Sequence, residues 1–441
     1  MNQLSTIGED MLACSDEQLL DSLQRAAFAY FLQTVNPANG LVADTSREGS
    51  PASIGVVGFA LTCYPVAVER GWMPRADAVR LTLAALRFFR DSEQSEAELA
   101  TGYKGFYYHF LDMQTGARMW RSELSMIDTA LLIAGMLAAS RYFCADDTDE
   151  AELRAIAQEL YLRVDWPWSQ GGEQTIKMGW KPECGFLNYG WDGYSEAIIL
   201  YVLALGSPTH PLPSGTHCFH AWTKTYQWEN LYGYDFLYAG PLFIHQFSHA
   251  WIDFRGIRDS FMREKNCDYF ENSRRATLIQ REYTRRNPLQ LAGYDADCWG
   301  LTACDGPNGE SCHGTGTGKP PRLFGYAARG VPYGPDDGSL SGWGVLASLP
   351  FAPDVVLAAT RNMLGRYPEM LPSQQFASSF NPSLADAGEP AWVSAGSYGL
   401  DQGIVVMMIE NHRSGLLWQL MRDCPHVRNG LRNAGFRGGW L

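Results

Sequence analysis

The sequence predicts an all-α protein in which pairs of helices are arranged in a ring. Apolar residues recur at helical spacing in about a dozen segments of the chain. Strand signals are short and weak, and no repeat of fixed period is visible, which argues against a regular solenoid. Long loops rich in Gly, Pro and aromatic residues join the helical segments.

The first predicted helix begins with a capping box formed by Ser15 and Gln18. An apolar face follows and runs to Phe31. A second helix ends at Gly71, and a third has Val79, Leu83, Leu86 and Phe89 in register. The fourth is apolar on most sides, which predicts burial on most sides. After the first, the predicted helices cover 54–69, 76–89, 122–143, 149–162, 194–205, 242–253, 269–285, 353–366, 400–422 and 426–433.

Two long irregular stretches, 165–191 and 291–342, separate helical segments. Loops of this length without structure of their own are usually functional, and in a helical ring they would form a cleft at one rim. No linker divides the chain, so we predict a single domain over residues 1–441 with a core of about 15–436.

Composition excludes some classes of partner. The net charge of −13 disfavours nucleic acids and anionic membranes, whereas neutral sugars remain open. The first 14 residues are polar, unlike a secretory signal, and the longest apolar stretch, 130–140, is too short to span a bilayer. The chain is therefore expected to be a cytoplasmic monomer without membrane insertion, or periplasmic if a leader was removed.

Aromatic residues make up 13% of the chain, and many lie beside Gly, Asp or Asn. Trp191 and Trp299 are examples of this pattern. Ordinary packing is one explanation for each of them. Together they favour a cleft whose flat apolar surfaces stack on sugar rings while neighbouring polar groups bind hydroxyls.

Two carboxyl groups stand in unusual surroundings. Glu196 is predicted in the first turn of an apolar helix beside aromatic residues, where desolvation would raise its pKa as a general acid requires. The alternative is a first-turn Glu stabilised by the helix dipole. Asp128 lies one turn into the most apolar helix and needs a partner, for which Arg121 or a water in the cleft would serve.

Further polar residues are candidates for the cleft. Asp401 is a cleft acid or a helix N-cap. Asp295, Asp297 and Asp305 crowd one loop, where they would bind sugar hydroxyls or a hard cation, and no EF-hand spacing supports the cation. His245 and His249 share a helical face, which suits hydroxyl binding or helix packing better than metal binding, because no HExxH motif is present.

Zinc binding is an alternative role for the loop that contains Asp297 and Asp305. Cys298, Cys304 and the pair Cys312-His313 lie close in sequence, as ligands do in lanthionine-cyclase-like toroids. The spacing is not specific and no CxxC occurs, so we predict buried thiols and neither metal nor cofactor.

Several segments, taken together and in order, resemble the glucoamylase-like domain family. This family includes the endo-β-1,2-glucanases of glycoside hydrolase family 144 and is related to the cyclising domain of cyclic β-1,2-glucan synthases. The segments are WRSELSMIDT at 120–129, YSEA at 194–197, GSPTHP at 206–211, DCWGLTACDGP at 297–307, LDQG at 400–403 and IEN at 409–411.

The resemblance implies an (α/α)6 barrel that hydrolyses a β-glucan, most simply a β-1,2-linked one, with a pair of carboxylates and no cofactor. It implies Glu196 as general acid, Asp128 or Asp401 as the group assisting water, and Glu123 as a further catalytic or sugar-binding carboxylate. The sugar-binding candidates are Trp191, Tyr194, His245, His249, Asp297, Trp299, Asp305 and Trp392.

One segment departs from the family pattern. Where the β-1,2-glucanases carry an Asp-Leu-Val-Glu-Thr run, this chain has Ser125-Met126-Ile127-Asp128-Thr129, with the first acid absent and the second shortened. The departure leaves the glucan linkage open. The alternative functions are a transglycosylase or cyclising enzyme of the same fold, a zinc-dependent lanthionine-cyclase-like enzyme, and a non-catalytic sugar-binding toroid.

Overall fold

The computed structural model describes residues 13–212, 217–308, 322–385 and 390–441. These residues are mostly helical, as predicted, and also form several small antiparallel sheets of two or three strands that the prediction did not contain. In the described part of the chain, no helix combines the length and apolar character that crossing a membrane requires.

Fourteen α-helices follow one another along the described residues. They are α1 (Asp16–Thr34), α2 (Ile54–Glu69), α3 (Arg75–Asp91), α4 (Met126–Tyr142), α5 (Thr148–Arg163), α6 (Ile198–Gly206), α7 (His217–Thr223), α8 (Ser260–Glu264), α9 (Tyr269–Arg286), α10 (Gly342–Leu346), α11 (Pro353–Arg366), α12 (Gly399–Arg413), α13 (Leu416–Arg422) and α14 (Pro425–Asn433).

The strands are two to four residues long and precede or connect helices. They are β1 (Ala52–Ser53), β2 (Gly102–Tyr103), β3 (Phe106–Tyr107), β4 (Phe110–Leu111), β5 (Leu124–Ser125), β6 (Gly179–Lys181), β7 (Gly185–Phe186), β8 (Trp228–Leu231), β9 (Tyr234–Leu237), β10 (Ala303–Cys304), β11 (Ala327–Ala328), β12 (Phe380–Asn381) and β13 (Trp392–Val393). The pairs are β1–β4, β2–β3, β5–β6–β7, β8–β9, β10–β11 and β12–β13.

The chain divides into two compact units, each assembled from separate segments. The first unit contains the described residues up to Tyr30, Trp228–Phe247 and Phe270–Arg413. The second contains Phe31–Gln227, Ser248–Tyr269 and Ser414–Leu441.

In the second unit, α2 and α4 form the core. Both helices are apolar on all sides and almost entirely buried, as the sequence predicts for the second of them. They approach closely because glycines face each other, and a methyl group added at Gly135 would lie 2.0 Å from the carbonyl oxygen of Gly58. Trp251 fixes α2 further, since its Nε1 donates to Thr62 Oγ1 at 3.0 Å.

In the first unit, a buried ion pair organises the long irregular stretch that the sequence predicts. Arg329 and Asp337 are both fully buried, and Arg329 Nε lies 2.7 Å from Asp337 Oδ1. The guanidinium also donates to the carbonyl oxygens of Cys304 at 2.8 Å and Phe324 at 3.2 Å. The polar contacts of one arginine therefore tie together separate parts of this stretch among the described residues.

Several predicted helix boundaries are confirmed. The helices α2 and α11 have the predicted ends. The capping box forms at the start of α1, where Ser15 N donates to Gln18 Oε1 at 3.0 Å and Gln18 N donates to Ser15 Oγ at 3.3 Å.

The predicted helix over 242–253 is wrong. Two 3₁₀ turns, Leu242–His245 and Phe247–Ala250, occupy this segment. Buried polar side chains explain the difference, because Gln246 Nε2 donates to Gly344 O at 2.7 Å and Ser248 Oγ donates to Glu196 O at 2.6 Å. Such bonds to other elements compete with a continuous helix.

The predicted helix over 400–422 is also divided. It becomes α12 and α13, and the second begins after Gly415, whose φ of 71° is a left-handed conformation. Glycine adopts this conformation without steric strain, so the helix can be interrupted here at little cost in free energy.

Candidate active site

Short strands of the second unit hold the residues that precede α2 and α4 side by side. Strand β1 pairs with β4, and Ile54 N at the start of α2 donates to His109 O at 3.2 Å. His109 N in turn donates to Glu123 O at 2.9 Å, just before β5. Residues distant in sequence are thereby fixed around His109.

The imidazole of His109 lies between two carboxylates. Its Nδ1 is 3.1 Å from Glu123 Oε1, and its Nε2 is 3.6 Å from Asp128 Oδ2. The ring stacks on Phe110 with centroids 4.0 Å apart and planes 10° from parallel. Both ring nitrogens therefore face negative charge while one face of the ring is covered.

The surrounding charges keep this histidine protonated. Burial opposes the charge, but Asp128, Glu123 and Asp44 together raise the pKa of His109 to about 9. The hydrogen bond from His109 lowers the pKa of Glu123 against the opposing effect of burial. At neutral pH, His109 and Glu123 form an ion pair.

Asp128 is 6% exposed and lies in the first turn of α4. Ser125, the N-cap of this helix, donates from Oγ to Asp128 Oδ2 at 2.5 Å and accepts the Asp128 N–H at 3.2 Å. Of the two partners considered for Asp128, Arg121 instead faces Glu98 at 3.3 Å. The buried carboxylate is therefore supported by a helix cap and a histidine.

The sequence predicted Glu196 in the first turn of a helix, and this prediction is wrong. Helix α6 begins two residues later at Ile198, so Glu196 lies in the turn that leads into it. Ser248 anchors this turn, because its Oγ donates to Glu196 O at 2.6 Å and accepts from Ile199 N at 3.1 Å. Burial, with a contribution from the charge of Asp128, raises the pKa of Glu196 to about 7.

Asp44 is a fourth acid in this group. It lies between α1 and β1, and its backbone N–H donates to Pro51 O at 2.8 Å. Burial raises the pKa of Asp44 to about 6, with His109 lowering it and Asp128 raising it further. Asp44 and His109 escaped the sequence analysis because neither belongs to a motif, and only the pairing of β1 with β4 places them near Asp128.

The structure thus brings three of the four predicted catalytic residues, Glu196, Asp128 and Glu123, into the second unit. Asp401 is buried in the first turn of α12 in the first unit, and its role stays a prediction. Of the predicted sugar-binding residues, the second unit contains Trp191, Tyr194 and His249, and the first contains His245, Asp297, Trp299, Asp305 and Trp392.

The two histidines are buried and make packing contacts. His245 Nε2 lies 3.0 Å from Ala239 O, and burial lowers the pKa of this histidine to about 4. The ring of His249 packs edge-on against Phe254 with centroids 4.7 Å apart. These contacts suit the packing alternative, and contact with substrate stays a prediction for both.

The predicted aromatic residues of the second unit differ in their surroundings. Trp191 is half-buried, and its Nε1 has no hydrogen-bond partner among the described residues. Tyr194 packs against Tyr226 and Tyr269, with ring centroids 5.8 and 5.9 Å apart. Contact of Trp191 and Tyr194 with substrate stays a prediction.

The candidates in the first unit have structural contacts of their own. Asp297 Oδ1 lies 3.8 Å from Arg281, and Trp299 is fully buried. Trp392 lies on β13 opposite Asn381. The backbone N–H of Asp305 donates to Ser378 Oγ at 3.2 Å. Sugar binding by these residues stays a prediction.

The cysteines of the zinc alternative are only partly described. Cys298 and Cys304 are buried, and burial raises their pKa values to about 12 and about 11. Both side chains are therefore thiols at neutral pH, as the prediction of buried thiols requires. Cys312 and His313 lie outside the described residues.

Residues 188–425 match the sequence model of a family described as "Putative glucoamylase". A curated relative is the exo beta-1,2-glucooligosaccharide sophorohydrolase (non-reducing end) of Parabacteroides distasonis. It is 26% identical in an alignment of 469 residues, which covers 98% of this chain. The chain spans 60% of the length of that relative.

Solved structures resemble this chain over nearly its whole length. A "putative glucoamylase" from Bacteroides uniformis is 29% identical with a TM-score of 0.85, over 97% of this chain and 99% of the other. The endo-beta-1,2-glucanase from Chitinophaga pinensis, solved with sophorotriose and glucose, is 26% identical with a TM-score of 0.82, over 97% of this chain and 100% of the other.

Proposed function

This chain belongs to the glucoamylase-like family, and from that membership we propose that it is a glycoside hydrolase that cleaves β-1,2-linked glucan. The names of its relatives, a sophorohydrolase and an endo-β-1,2-glucanase, support the substrate. The observation that carries the proposal is the group of acids in the second unit, in which burial and the charge of a second carboxylate, Asp128, raise the pKa of Glu196 to about 7.

Glu196 acts as the general acid. Glycoside hydrolysis needs a carboxyl group that is still protonated near neutral pH and can donate to the leaving oxygen. The raised pKa of Glu196 meets this requirement. Ser248 keeps the carboxyl group in place by holding the backbone on both sides of Ala197.

Asp128 acts as the partner carboxylate that accepts a proton from water. Ser125 Oγ and His109 Nε2 both approach its Oδ2 atom. Oδ1 has no hydrogen bond within the described residues and is the oxygen left to receive a proton. His109 Nε2 lies 3.6 Å from Asp128 Oδ2, so a positive charge stands next to the partner carboxylate, whereas the raised pKa of Glu196 favours its protonated form.

We expect Glu196→Gln to lower the turnover of β-1,2-glucan by about 10²- to 10⁴-fold, because a side-chain amide cannot protonate the leaving oxygen. The measurement is the release of reducing ends from linear and cyclic β-1,2-glucan, with β-1,3- and β-1,4-glucans as comparison substrates. In wild-type protein, kcat/KM should fall as pH rises through about 7, where Glu196 loses its proton.

Glu159→Gln is the matched control, because Glu159 is exposed on α5 and should retain wild-type turnover when replaced. Unchanged turnover of Glu196→Gln would remove this residue from the mechanism. Wild-type protein that releases no reducing ends from β-1,2-glucan would exclude the proposed substrate.

We further propose that the chain forms one (α/α)6 domain with long loops around a cleft at one rim, and that it acts as a monomer. The close pairing of α2 with α4 supports the arrangement of helices. So does the similarity to solved relatives over 97% of the chain.

A further inference from the structure

Trp120 is unusually exposed for a tryptophan. It is 65% exposed, at the tip of the turn that precedes Glu123 and β5. Trp120 and Arg121 have φ angles of 55° and 50°, so two consecutive residues with a Cβ adopt a left-handed conformation. This conformation is disfavoured for such residues and persists only where the surroundings impose it.

A buried arginine imposes it here. Arg118 Nε donates to Ser122 O at 2.6 Å, across the turn, while Ser122 N donates to Met119 O at 2.9 Å. The Arg118 guanidinium is also paired with Glu183 at 2.7 Å, and its side chain is 1% exposed. The exposed indole is therefore presented by a rigid turn and does not hang from a flexible loop.

The same turn leads directly to the acids. The ring centroid of Trp120 is 5.1 Å from that of Phe110, and Phe110 stacks on His109 at 4.0 Å. Three residues after Trp120, the chain reaches Glu123, the ion-pair partner of His109. A continuous aromatic surface thus runs from the acids to an exposed indole.

We propose that Trp120 is a stacking platform for a glucosyl residue of the substrate that lies beyond the residues at the cleaved bond. The inference rests on the proposed function. An exposed indole offers a flat apolar surface, which suits the C–H face of a pyranose ring, and the rigid turn removes the cost of ordering it on binding. Two ring-to-ring contacts separate Trp120 from His109, so Trp120 would bind a glucosyl residue further along the glucan.

The test is the dependence of kcat/KM on chain length. Wild-type, Trp120→Ala and Trp120→Phe proteins are assayed on β-1,2-gluco-oligosaccharides of increasing length with a labelled reducing end. We expect Trp120→Ala to lose about tenfold in kcat/KM on the long chains and almost nothing on the shortest chain that is cleaved. Trp120→Phe should retain most of the wild-type preference, because a flat ring remains.

Leu32→Ala is the control, because Leu32 is also an exposed apolar side chain, 46% exposed, but lies on α1. It should not change the dependence on chain length. If Trp120→Ala does not fold, Trp120→Leu keeps apolar bulk without a flat ring and should show the same selective loss.

An equal loss on short and long chains, or none on any of them, overturns the role of Trp120. These outcomes differ from failure of the proposed function, in which wild-type protein would cleave no β-1,2-linked substrate of any length.

Discussion

The chemistry of individual residues in this site depends on charge balance around His109. Asp128, Glu123 and Asp44 raise the pKa of this histidine. Burial favours the protonated forms of Asp44 and Glu196. One imidazolium offsets part of that negative charge and keeps Glu123 ionised. Glu196 has no ion-pair contribution from His109, which is why its pKa remains high enough for proton donation.

This balance predicts a pH-dependent contribution of His109 to stability. Its pKa in the folded protein, about 9, lies above the usual 6.5, so its protonation stabilises the fold fully below pH 6.5. The contribution disappears as pH rises through about 9. We therefore expect His109→Gln to lower the free energy of unfolding most at about pH 6, with the difference from wild type shrinking towards pH 9.

Urea unfolding of both proteins between these pH values measures the effect. His210→Gln serves as the comparison, because His210 is exposed and should leave the pH dependence of wild-type protein unchanged. A constant difference between His109→Gln and wild type at every pH would show that His109 acts only through packing.

At the level of elements, short strands and helix starts position the acids. The acids precede or begin α2, α4 and α6. The pairing of β1 with β4, and the bridge between Tyr108 and Leu124 of β5, align the starts of α2 and α4. The backbone contact between α2 and α4 sets the distance between those helix starts. The site therefore depends on glycines that lie within the core.

Gly135→Ala tests this dependence. The added methyl group would lie 2.0 Å from Gly58 O, so α2 and α4 must separate. We expect a loss of about 1–3 kcal/mol in the free energy of unfolding, as for other overpacked cores. Reduced turnover of β-1,2-glucan should accompany it, because the helix starts shift.

Gly344→Ala in α10 is the control for helix propensity. Its methyl group would approach Thr302 Cγ2 at 3.1 Å, a milder contact with a side chain. The two variants are compared by urea midpoint at constant slope. Equal stability of the two would argue against a tight contact between α2 and α4.

For the whole molecule, the net charge determines which ligands are attracted or repelled at long range. The net charge of −13 repels anionic ligands but exerts no long-range attraction on a neutral glucan. We expect kcat/KM on β-1,2-glucan to change by less than about twofold between about 50 and 500 mM NaCl, because screening removes only long-range forces.

Steady-state rates at fixed pH across this range of salt provide the measurement. A steep decline in kcat/KM with salt would indicate a charged substrate and would contradict a neutral glucan as the preferred one. Glu159→Gln should show the same flat response as wild-type protein, since it alters only an exposed charge.

Periodicity and capping in the sequence determined most of the helices, including both ends of α2 and α11, because local apolar spacing and end signals are properties of the chain itself. The sequence also predicted Glu196, Asp128 and Glu123 as catalytic residues, and the structure places all three in the second unit, while their roles stay predictions. It failed at 242–253, where buried Gln246 and Ser248 bond to other elements and replace a helix by turns. Such bonds are not visible in local spacing.

Only the tertiary structure decided what surrounds each acid. It gave Asp128 the partners His109 and Ser125, where the sequence had offered Arg121 or a water in the cleft, and it added Asp44. It also placed Glu196 before α6 rather than within it. The physical reason is that a carboxyl pKa depends on burial and on charges brought near by chain crossings, and pairing between short strands such as β1 and β4 leaves almost no pattern in the sequence.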